Sequence, residues 1–182
     1  MLSDCWLSTP SEPDERYGFR RLHRADFPRL AQWFAEPHVR AWWGAAEVEL
    51  EAIARAMETG EIQPMIVEWE GRPIAYLQAY DPHRERDHPY RDQPVATVGI
   101  DMAIGAPEDV GRGHGGGIAL QFAARLFATG ALRIIVDPHP ENSRAIRAYE
   151  KSGFRFIDQR HSHYGPAYLM ALDHQIEEMD TP

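Results

Sequence analysis

The sequence predicts a single α/β domain in which strands and helices are mixed along the chain, and three observations support this. Short apolar runs of strand-like character alternate with segments whose apolar residues recur at helical spacing. A glycine-rich segment, 110–117, follows one strand and leads directly into an apolar helical pattern. The chain has 182 residues, enough for one hydrophobic core, and shows no internal repeat or second domain.

The first half of the chain is predicted to form a strand, two helices and a β-hairpin behind a flexible N-terminal arm. The arm is polar and contains prolines. Apolar side chains from Phe27 to Phe34 recur at helical spacing, and Pro37 is expected to end that helix. Glu70-Gly71 indicates a hairpin turn. The predicted ranges are an arm over 1–16, a strand over 17–22, a helix over 25–36, an aromatic turn at 42–44, a helix over 47–59 and strands over 64–70 and 72–80.

The second half begins with a segment rich in proline, histidine and charge, 81–94, which is predicted to be a surface loop. Connecting loops of that length are often functional. Strands are predicted over 97–104, 133–136, 155–158 and 167–172, the last two joined through Tyr164-Gly165-Pro166, and helices over 118–127 and 142–152. We expect one domain over 17–175, followed by a C-terminal tail, 176–182.

Charge and composition exclude some classes of partner. The chain has 19 basic and 28 acidic residues and a net charge of −9, which argues against a nucleic-acid-binding protein. Acidity favours a cationic, amine-bearing partner, and it equally fits a protein that is acidic for solubility alone. No apolar run approaches the roughly 20 residues needed to span a bilayer, and a secretory signal is not expected. The single cysteine, Cys5, excludes an internal disulfide, and a cytoplasmic protein without membrane partners is expected.

A phosphate-binding loop is predicted at Val110-Gly111-Arg112-Gly113-His114-Gly115-Gly116-Gly117. Glycines let the backbone approach an anion, and the free N–H groups of a helix N-terminus point towards it. Arg112 adds a side-chain cation. No Gly-Lys-Ser/Thr follows, so this is not a Walker A loop, and the match to the dinucleotide-binding pattern is weak. A glycine-rich helix start without a ligand is the alternative.

A second motif is longer and more specific. Residues 142–154 read Asn-Ser-Arg-Ala-Ile-Arg-Ala-Tyr-Glu-Lys-Ser-Gly-Phe. They resemble the N-x-x-A-x-x-x-Y-E-K-x-G-F helix of the GNAT superfamily of acyl-CoA-dependent N-acyltransferases. Residues 110–116 are similar to the Q/R-x-x-G-x-G/A loop of that family, with Val110 where Gln or Arg is usual. That difference removes a side chain and keeps the backbone donors. Together with the element order, the resemblance covers Tyr17 to Leu172.

Within that superfamily the chain most resembles the aminoglycoside 6′-N-acetyltransferases, on residues 42–44, 71–76, 99–101 and 137–138. A sister branch acylates hydroxylated lysine side chains for siderophore assembly and tends to carry His where this chain has Asp101. Asp101 therefore favours the aminoglycoside branch. Arginines beside the acidic residues of the 81–94 loop leave a monoamine, a hydroxylated lysine or a polyamine open as acceptor.

The resemblance implies a GNAT fold, a mixed α/β architecture with a central, mostly antiparallel, twisted sheet of about six to seven strands flanked by about four helices. It implies acetyl-CoA as co-substrate and a small-molecule amine as acceptor, whereas monomer or homodimer is left open. The residues expected to bind acetyl-CoA are Met102, Ile104, Gly111, Arg112, Gly113, His114, Gly115, Gly116 and Asn142. At the start of its helix, Asn142 is also suited to be a plain N-cap.

Two residues are expected to catalyse the transfer. Asp101 lies in the middle of an apolar strand, where a carboxylate is costly unless paired, and it is placed to accept the proton of the attacking amine directly or through water. The resemblance implies that Tyr149 points at the sulfur of CoA and protonates the leaving thiolate. The alternatives are an Asp101 on the solvent face or paired with a core arginine, and a Tyr149 that is a core residue.

Trp42, Trp43, Tyr80 and Asp137 are expected to bind the acceptor. A tryptophan pair offers flat faces to a sugar or an aliphatic amine, although such pairs next to turns are often core residues. Asp137, at the end of a strand, suits a second ammonium group, or a turn before Pro138.

Two other classes of function are alternatives to this one. A metal site is not expected, because the histidines fit no zinc spacing and no cysteines accompany them; they are His83, His88, His139, His161 and His163. The other alternative is a non-catalytic acyl-CoA sensor with the same fold. Asp101 and Tyr149 argue against it, because a sensor needs neither residue.

Overall fold

The computed structural model describes residues 15–162 and 165–175, so residues 1–14 of the expected arm and the expected tail, 176–182, lie outside it. The strands are β1 (Tyr17–Arg21), β2 (Ile62–Trp69), β3 (Arg72–Tyr80), β4 (Thr97–Ile104), β5 (Arg133–Val136), β6 (Arg155–Ser162) and β7 (Gly165–Asp173). The helices are α1 (Phe27–Ala35), α2 (Pro37–Trp43), α3 (Ala46–Thr59), α4 (His114–Ala128) and α5 (Ser143–Lys151). The order of the strands along the chain agrees with the prediction, and the domain boundaries stay a prediction.

All seven strands belong to one sheet, in the order β1-β2-β3-β4-β5-β7-β6. Neighbours are antiparallel except β4 and β5, which are parallel. Alternate side chains of a strand point to opposite faces, and both faces of this sheet are covered. Met65 and Val67 pack in the core that α4 and α5 cover, whereas Ile66 packs in the core that α1, α2 and α3 cover. The central strands β3 and β4 are therefore buried on both sides.

Strands β4 and β5 pair over only three residues each, Thr97–Gly99 with Arg133–Ile135. Beyond Gly99, β4 continues along β3 as far as Ile104. In an antiparallel ladder, alternate residues direct their N–H groups away from the partner strand. Gly105 N–H donates to the Ile74 carbonyl at 2.8 Å, so Met102 and Ile104 direct theirs away from β3. These N–H groups face the gap where β4 and β5 diverge.

The predicted aromatic turn at 42–44 is wrong, because Trp42 and Trp43 lie in a fifth helix, α2. Helix α1 ends before Pro37 as expected, but Pro37 is also the first residue of α2, where its missing N–H is not needed. Gly44 ends α2 with a φ of 106°. The helix brings Trp43 against Tyr76 of β3, with ring centroids 5.7 Å apart.

The expected surface loop, 81–94, is anchored to the sheet. Its Tyr90 is buried in a cluster of residues from β5 and β7. From β6, Arg160 donates to the Pro89 carbonyl at 2.6 Å and pairs with Asp92 at 2.6 Å. Strand β6 is accordingly longer than predicted. The loop thus forms a wall beside the end of β5.

Candidate active site

A cavity of about 1060 Å³ is lined by residues of helices α2, α3 and α5 and strands β3 and β4. Six of its lining side chains are acidic and two are arginines, Arg55 and Arg84. The acidic ones are Glu49, Glu61, Asp81, Glu85, Asp101 and Asp137. The structure also brings most of the predicted site residues to this cavity: Trp42, Trp43, Tyr80, Asp101, Met102, Asp137, Asn142 and Tyr149 line it.

Asp101 lies two residues beyond the last pairing of β4 with β5. Its cross-strand neighbour Gln78 donates from Nε2 to Asp101 Oδ2 at 2.7 Å, and Tyr76 donates to Gln78 Oε1 at 2.7 Å. Burial raises the pKa of Asp101, and the hydrogen bonds from Gln78 and Asp137 oppose that rise. No described arginine pairs with this carboxyl. A carboxylate of raised pKa is a better proton acceptor near neutral pH.

Asp137 directly follows β5, and its carboxyl group adjoins that of Asp101. Tyr90 donates to Asp137 Oδ2 at 2.6 Å. Burial is the main cause that raises the pKa of Asp137 well above its usual value, and the charge of Asp101 raises it further. The two carboxyl groups thus form one unit at the cavity floor, with Gln78 on one side and Tyr90 on the other.

Tyr149 lies on α5 and is 7% exposed. Its ring packs on Phe154 with centroids 5.5 Å apart. Burial raises the pKa of the Tyr149 hydroxyl, and the charges of Asp101 and Asp137 raise it further. The hydroxyl therefore keeps its proton at neutral pH, as a proton donor must, and it lines the same cavity as the carboxyl pair.

The aromatic residues predicted to bind the acceptor occupy two different environments. Trp43 packs on Phe34 and Tyr76, so it is both a core residue and a cavity wall. Trp42 is 39% exposed, and its ring lies 5.4 Å from that of His139. Tyr80 lies across Gly99 of β4, where a Cβ atom would be 2.1 Å from its ring. At Trp43 the two interpretations of the tryptophan pair, a core residue and a wall of the acceptor site, are therefore compatible.

The glycine-rich loop leads into α4 without a side-chain cap. Gly113, the N-cap, has a φ of 84°, a conformation that L residues rarely adopt. The first N–H groups of the helix accordingly have no intrahelical acceptor, which suits an anion. His114 is 2% exposed and its Nδ1 lies 3.1 Å from Tyr17 Oη, so its ring belongs to the core and only its backbone belongs to the loop. Arg112 is exposed.

The other predicted cofactor contacts lie between this loop and the cavity. Met102 and Ile104 direct their N–H groups into the gap between β4 and β5, and the Ile104 carbonyl lies 3.0 Å from His38 Nε2. Asn142 is the N-cap of α5 and accepts from Ala145 N–H at 3.2 Å. The capping interpretation is thus correct for its oxygen, while Asn142 also lines the cavity.

Sequence reasoning missed three residues of this site: Gln78, Tyr90 and Glu49. Gln78 gave the same signal as Asp101, a polar residue inside an apolar strand. Glu49 lines the cavity from α3. Burial raises the pKa of its carboxyl group, and the charge of Asp101 raises it further. Tyr90 gave no signal, because its position depends on the path of a long loop.

Two of the five histidines named above, His83 and His88, make contacts of another kind. His83 Nε2 lies 3.0 Å from the Gln93 carbonyl, and the His88 ring lies 5.2 Å from that of Tyr80. His163 lies outside the described residues. Within 15–162 and 165–175, no three potential ligands cluster as a metal site. No helix in the described part of the chain is long and apolar enough to cross a membrane.

Comparisons with known proteins place this geometry in a family. Aminoglycoside N(6′)-acetyltransferase type 1 of Klebsiella pneumoniae is 29% identical over 168 residues, 87% of this chain and 84% of that protein. Lysine N-acyltransferase MbtK of Mycobacterium tuberculosis is 28% identical over 175 residues, 92% of this chain and 83% of that protein. The solved structure of aminoglycoside acetyltransferase AAC(6′)-Ib with coenzyme A and kanamycin superposes with a TM-score of 0.79 at 27% identity, covering 87% of this chain and 95% of the other.

The family model for the acetyltransferase (GNAT) domain matches residues 23–161, which is most of the chain. The resemblance predicted from the two sequence motifs is confirmed, and so is the mixed α/β GNAT fold, here with five helices rather than about four. The chain belongs to the GNAT family of acetyl-CoA-dependent N-acetyltransferases.

Proposed function

We propose that this protein acetylates the 6′-amine of an aminoglycoside by direct attack of the amine on the thioester of acetyl-CoA. The observation that carries the proposal is the half-buried Asp101 carboxyl, which lies beside the divergence of β4 and β5 and in one cavity with Tyr149. The similarity to an aminoglycoside N(6′)-acetyltransferase along 87% of the chain supports the choice of acceptor. Six acidic lining residues and a net charge of −9 suit a polycation.

Each residue has a role in this proposal. Asp101 accepts a proton from the amine as the new N–C bond forms, and Tyr149 donates a proton to the sulfur as the C–S bond breaks. The N–H groups of Met102 and Ile104 bind the pantetheine chain, and that of Ile104 polarises the thioester oxygen. Asn142 binds the pantetheine amides. Gly111, Arg112, Gly113, Gly115, Gly116 and the backbone of His114 hold the pyrophosphate.

On the acceptor side, Trp42 and Trp43 offer flat faces to the sugar rings. Tyr80 and Asp137 line the same cavity and contact the amine-bearing part of the acceptor.

A lysine-type acceptor is the second candidate, because Arg55 and Arg84 also line the cavity. A guanidinium at the cavity wall suits a carboxylate, which an amino acid has and an aminoglycoside lacks. The 28% identity to a lysine N-acyltransferase agrees with this alternative.

The test is a thiol-release assay with acetyl-CoA against kanamycin-type aminoglycosides, polyamines, lysine derivatives and N-hydroxylysine. We expect turnover of aminoglycosides that have a free 6′-amine and none of those that lack it. Turnover confined to lysine derivatives would establish the second candidate instead. In the same assay Asp101→Asn should reduce kcat by about 10²–10⁴-fold. Its affinity for CoA, measured by calorimetry, should not change, and unchanged turnover would remove Asp101 from the mechanism.

A further inference from the structure

A line of hydrogen-bonding groups crosses the cavity floor. Tyr76 donates to Gln78 at 2.7 Å, and Gln78 donates to Asp101 at 2.7 Å. The carboxyl group of Asp101 adjoins that of Asp137, which accepts from Tyr90 at 2.6 Å. Gln78 can donate to Asp101 only through its amide nitrogen, so Tyr76 at the amide oxygen fixes that orientation. The line thus has a neutral donor at each end and two carboxyl groups in the middle.

Two adjacent carboxylates repel each other and neither can donate, so a proton kept by one of the pair removes the repulsion and supplies the hydrogen bond between them. In the described part of the chain no lysine or arginine contacts either carboxyl. Several titratable groups face the pair from the elements packed around it: Glu49 from α3, Tyr76 from β3, His88 and Tyr90 from the loop after β3, His139 from the loop after β5, and Tyr149 from α5. Arg160 lies over the Tyr90 ring at 5.5 Å, already paired with Asp92 and Asp158.

We propose that Asp101 and Asp137 share a single proton, held by Asp137, and that Tyr90 is the positioning residue that holds Asp137 for this role. The pair then presents one negative charge to the acceptor, at Asp101, and matches one ammonium group. Asp137 is a hydrogen-bond donor to the base rather than a second anion. This inference extends the proposed function. Its account of the reaction rests on that function, whereas the shared proton does not.

The proton balance of the transfer follows from this arrangement. The acceptor nitrogen enters as an ammonium group and first loses one proton, through Asp101 to solvent, so that before attack the pair again holds one proton and the nitrogen has a free lone pair. As the N–C bond forms and the C–S bond breaks, Asp101 takes a proton from nitrogen and the sulfur receives one from Tyr149. The pair then holds two protons and is neutral, and the proton on Asp101 returns to Tyr149 before the next turnover, so that the net release to solvent is the one proton that the ammonium group lost before attack. A second ammonium group at Asp137 would first have to displace its proton.

Tyr90 is suited to a test because its ring and its hydroxyl have separate surroundings. The ring is 2% exposed and packs on Ile135, Ala167 and Leu169. Arg160 anchors the adjoining backbone at Pro89. Tyr90→Phe therefore removes the bond to Asp137 and keeps the packing. Tyr168→Phe is the matched control: Tyr168 packs on Phe156 of β6 and is not part of the cavity lining.

The direct measurement is infrared difference spectroscopy of the protein without substrates at pH 7, wild type against Asp137→Asn. We expect the carbonyl band of a protonated carboxylic acid in the wild type and its loss in Asp137→Asn. In Tyr90→Phe the band should move to higher wavenumber, because its oxygen loses a hydrogen bond, whereas Tyr168→Phe should leave it in place. A wild type without the band has both carboxyls ionised, which overturns the inference whether or not any acceptor is turned over.

The second measurement is the pH profile of kcat/KM for whichever acceptor is turned over. Donation by Tyr90 favours ionisation of the pair, so Tyr90→Phe should move the acid limb to higher pH by roughly half to one unit. KM for acetyl-CoA should not change. A uniform loss of rate at every pH, with the limb unmoved, would mean that Tyr90 only supports the loop and would overturn its positioning role. If no acceptor is turned over, the proposed function fails, and the infrared result alone shows whether the two carboxyl groups share a proton.

Discussion

At the scale of single residues, two aspartates of this protein, the buried Asp109 and the half-buried Asp137, lie in opposite electrostatic environments. Asp109 forms a bidentate pair with Arg72, at 2.7 and 2.8 Å, and that guanidinium holds its pKa below the usual value. Asp137 has neighbours that only donate neutral hydrogen bonds or repel it, and its pKa is raised well above the usual value. The first arrangement stabilises the fold at neutral pH, whereas the second destabilises it and is retained at the cavity.

We therefore predict that Asp137→Asn stabilises the protein, and that the gain grows with pH. Because the folded-state pKa of Asp137 is raised, the folded protein binds one more proton than the unfolded chain above about pH 4, so wild-type stability falls as pH rises towards that pKa. Asparagine has no proton to lose. The difference in free energy of unfolding should widen by at most about 1.4 kcal/mol for each pH unit. Denaturant unfolding between pH 5 and pH 8 measures it.

Asp109→Asn is the control of opposite sign. Because the folded-state pKa of Asp109 is lowered, its contribution to stability is present above about pH 4 and is lost as pH falls through the folded-state value. This variant should be less stable than wild type at pH 7, and the difference should shrink on acidification. A gain for Asp137→Asn that is constant with pH would contradict the prediction, because it would come from packing rather than from the proton.

Sequence reasoning found the residues of this site that were unusual in their own segments. Asp101 was identified because a carboxylate interrupts an apolar strand, and Tyr149 was identified because it lies in a long, specific motif. Tyr90 could not be identified, because nothing in a proline-rich loop shows that its tyrosine returns to the sheet and contacts Asp137, 47 residues further along the chain. Gln78 could be linked to Asp101 only through the register of β3 on β4. Such partners depend on tertiary pairing.

At the scale of elements, the site depends on where neighbouring elements separate or approach. Strands β4 and β5 separate after Gly99, which leaves backbone N–H groups of β4 without a strand partner. Helix α2 was missed because Pro37 marks both the end of one helix and the first position of the next, and the sequence signal for the two is the same. Strand and helix types follow from periodicity, whereas these junctions follow from packing.

The approach of α4 to α5 leads to a prediction at Gly116. A Cβ atom there would lie 2.5 Å from Ser152 Oγ and 3.1 Å from the Ala148 carbonyl, so Gly116→Ala has to push the helices apart. We expect a loss of about 1–3 kcal/mol in the free energy of unfolding. Gly115→Ala is the matched control, because its nearest neighbour, Met102 Cε, would be 4.0 Å away. Its stability should be unchanged or slightly raised, since alanine favours helix.

Chemical denaturation of the two alanine variants and the wild type gives the comparison. Equal stability of Gly116→Ala and Gly115→Ala would show that α5 adjusts without cost, and the close approach would then not explain the glycine.

At the scale of the whole molecule, the two ligands of the proposed reaction have opposite charges. The cofactor is an anion, and the loop proposed to bind it includes Arg112 and directly follows Asp109, which pairs with Arg72 of β3. The acceptor is a cation, and the cavity proposed to bind it has six acidic side chains, of which Glu85 is exposed. The net charge of −9 extends this attraction beyond the cavity. Salt should therefore affect the two ligands differently.

We predict that kcat/KM for an acceptor with several ammonium groups falls by about 3- to 10-fold between 10 mM and 300 mM salt. The screening length shrinks from about 30 Å to well under 10 Å over that range, so attraction by the distant acidic residues is lost while contacts within the cavity persist. An acceptor with one amine should show a smaller loss. Glu85→Gln should reduce the slope for the polycation, since Glu85 is exposed at the cavity wall and its side chain has no described partner. Equal slopes for monoamine and polyamine acceptors would mean that only the charge of the reactive amine is recognised, by the carboxyl pair alone.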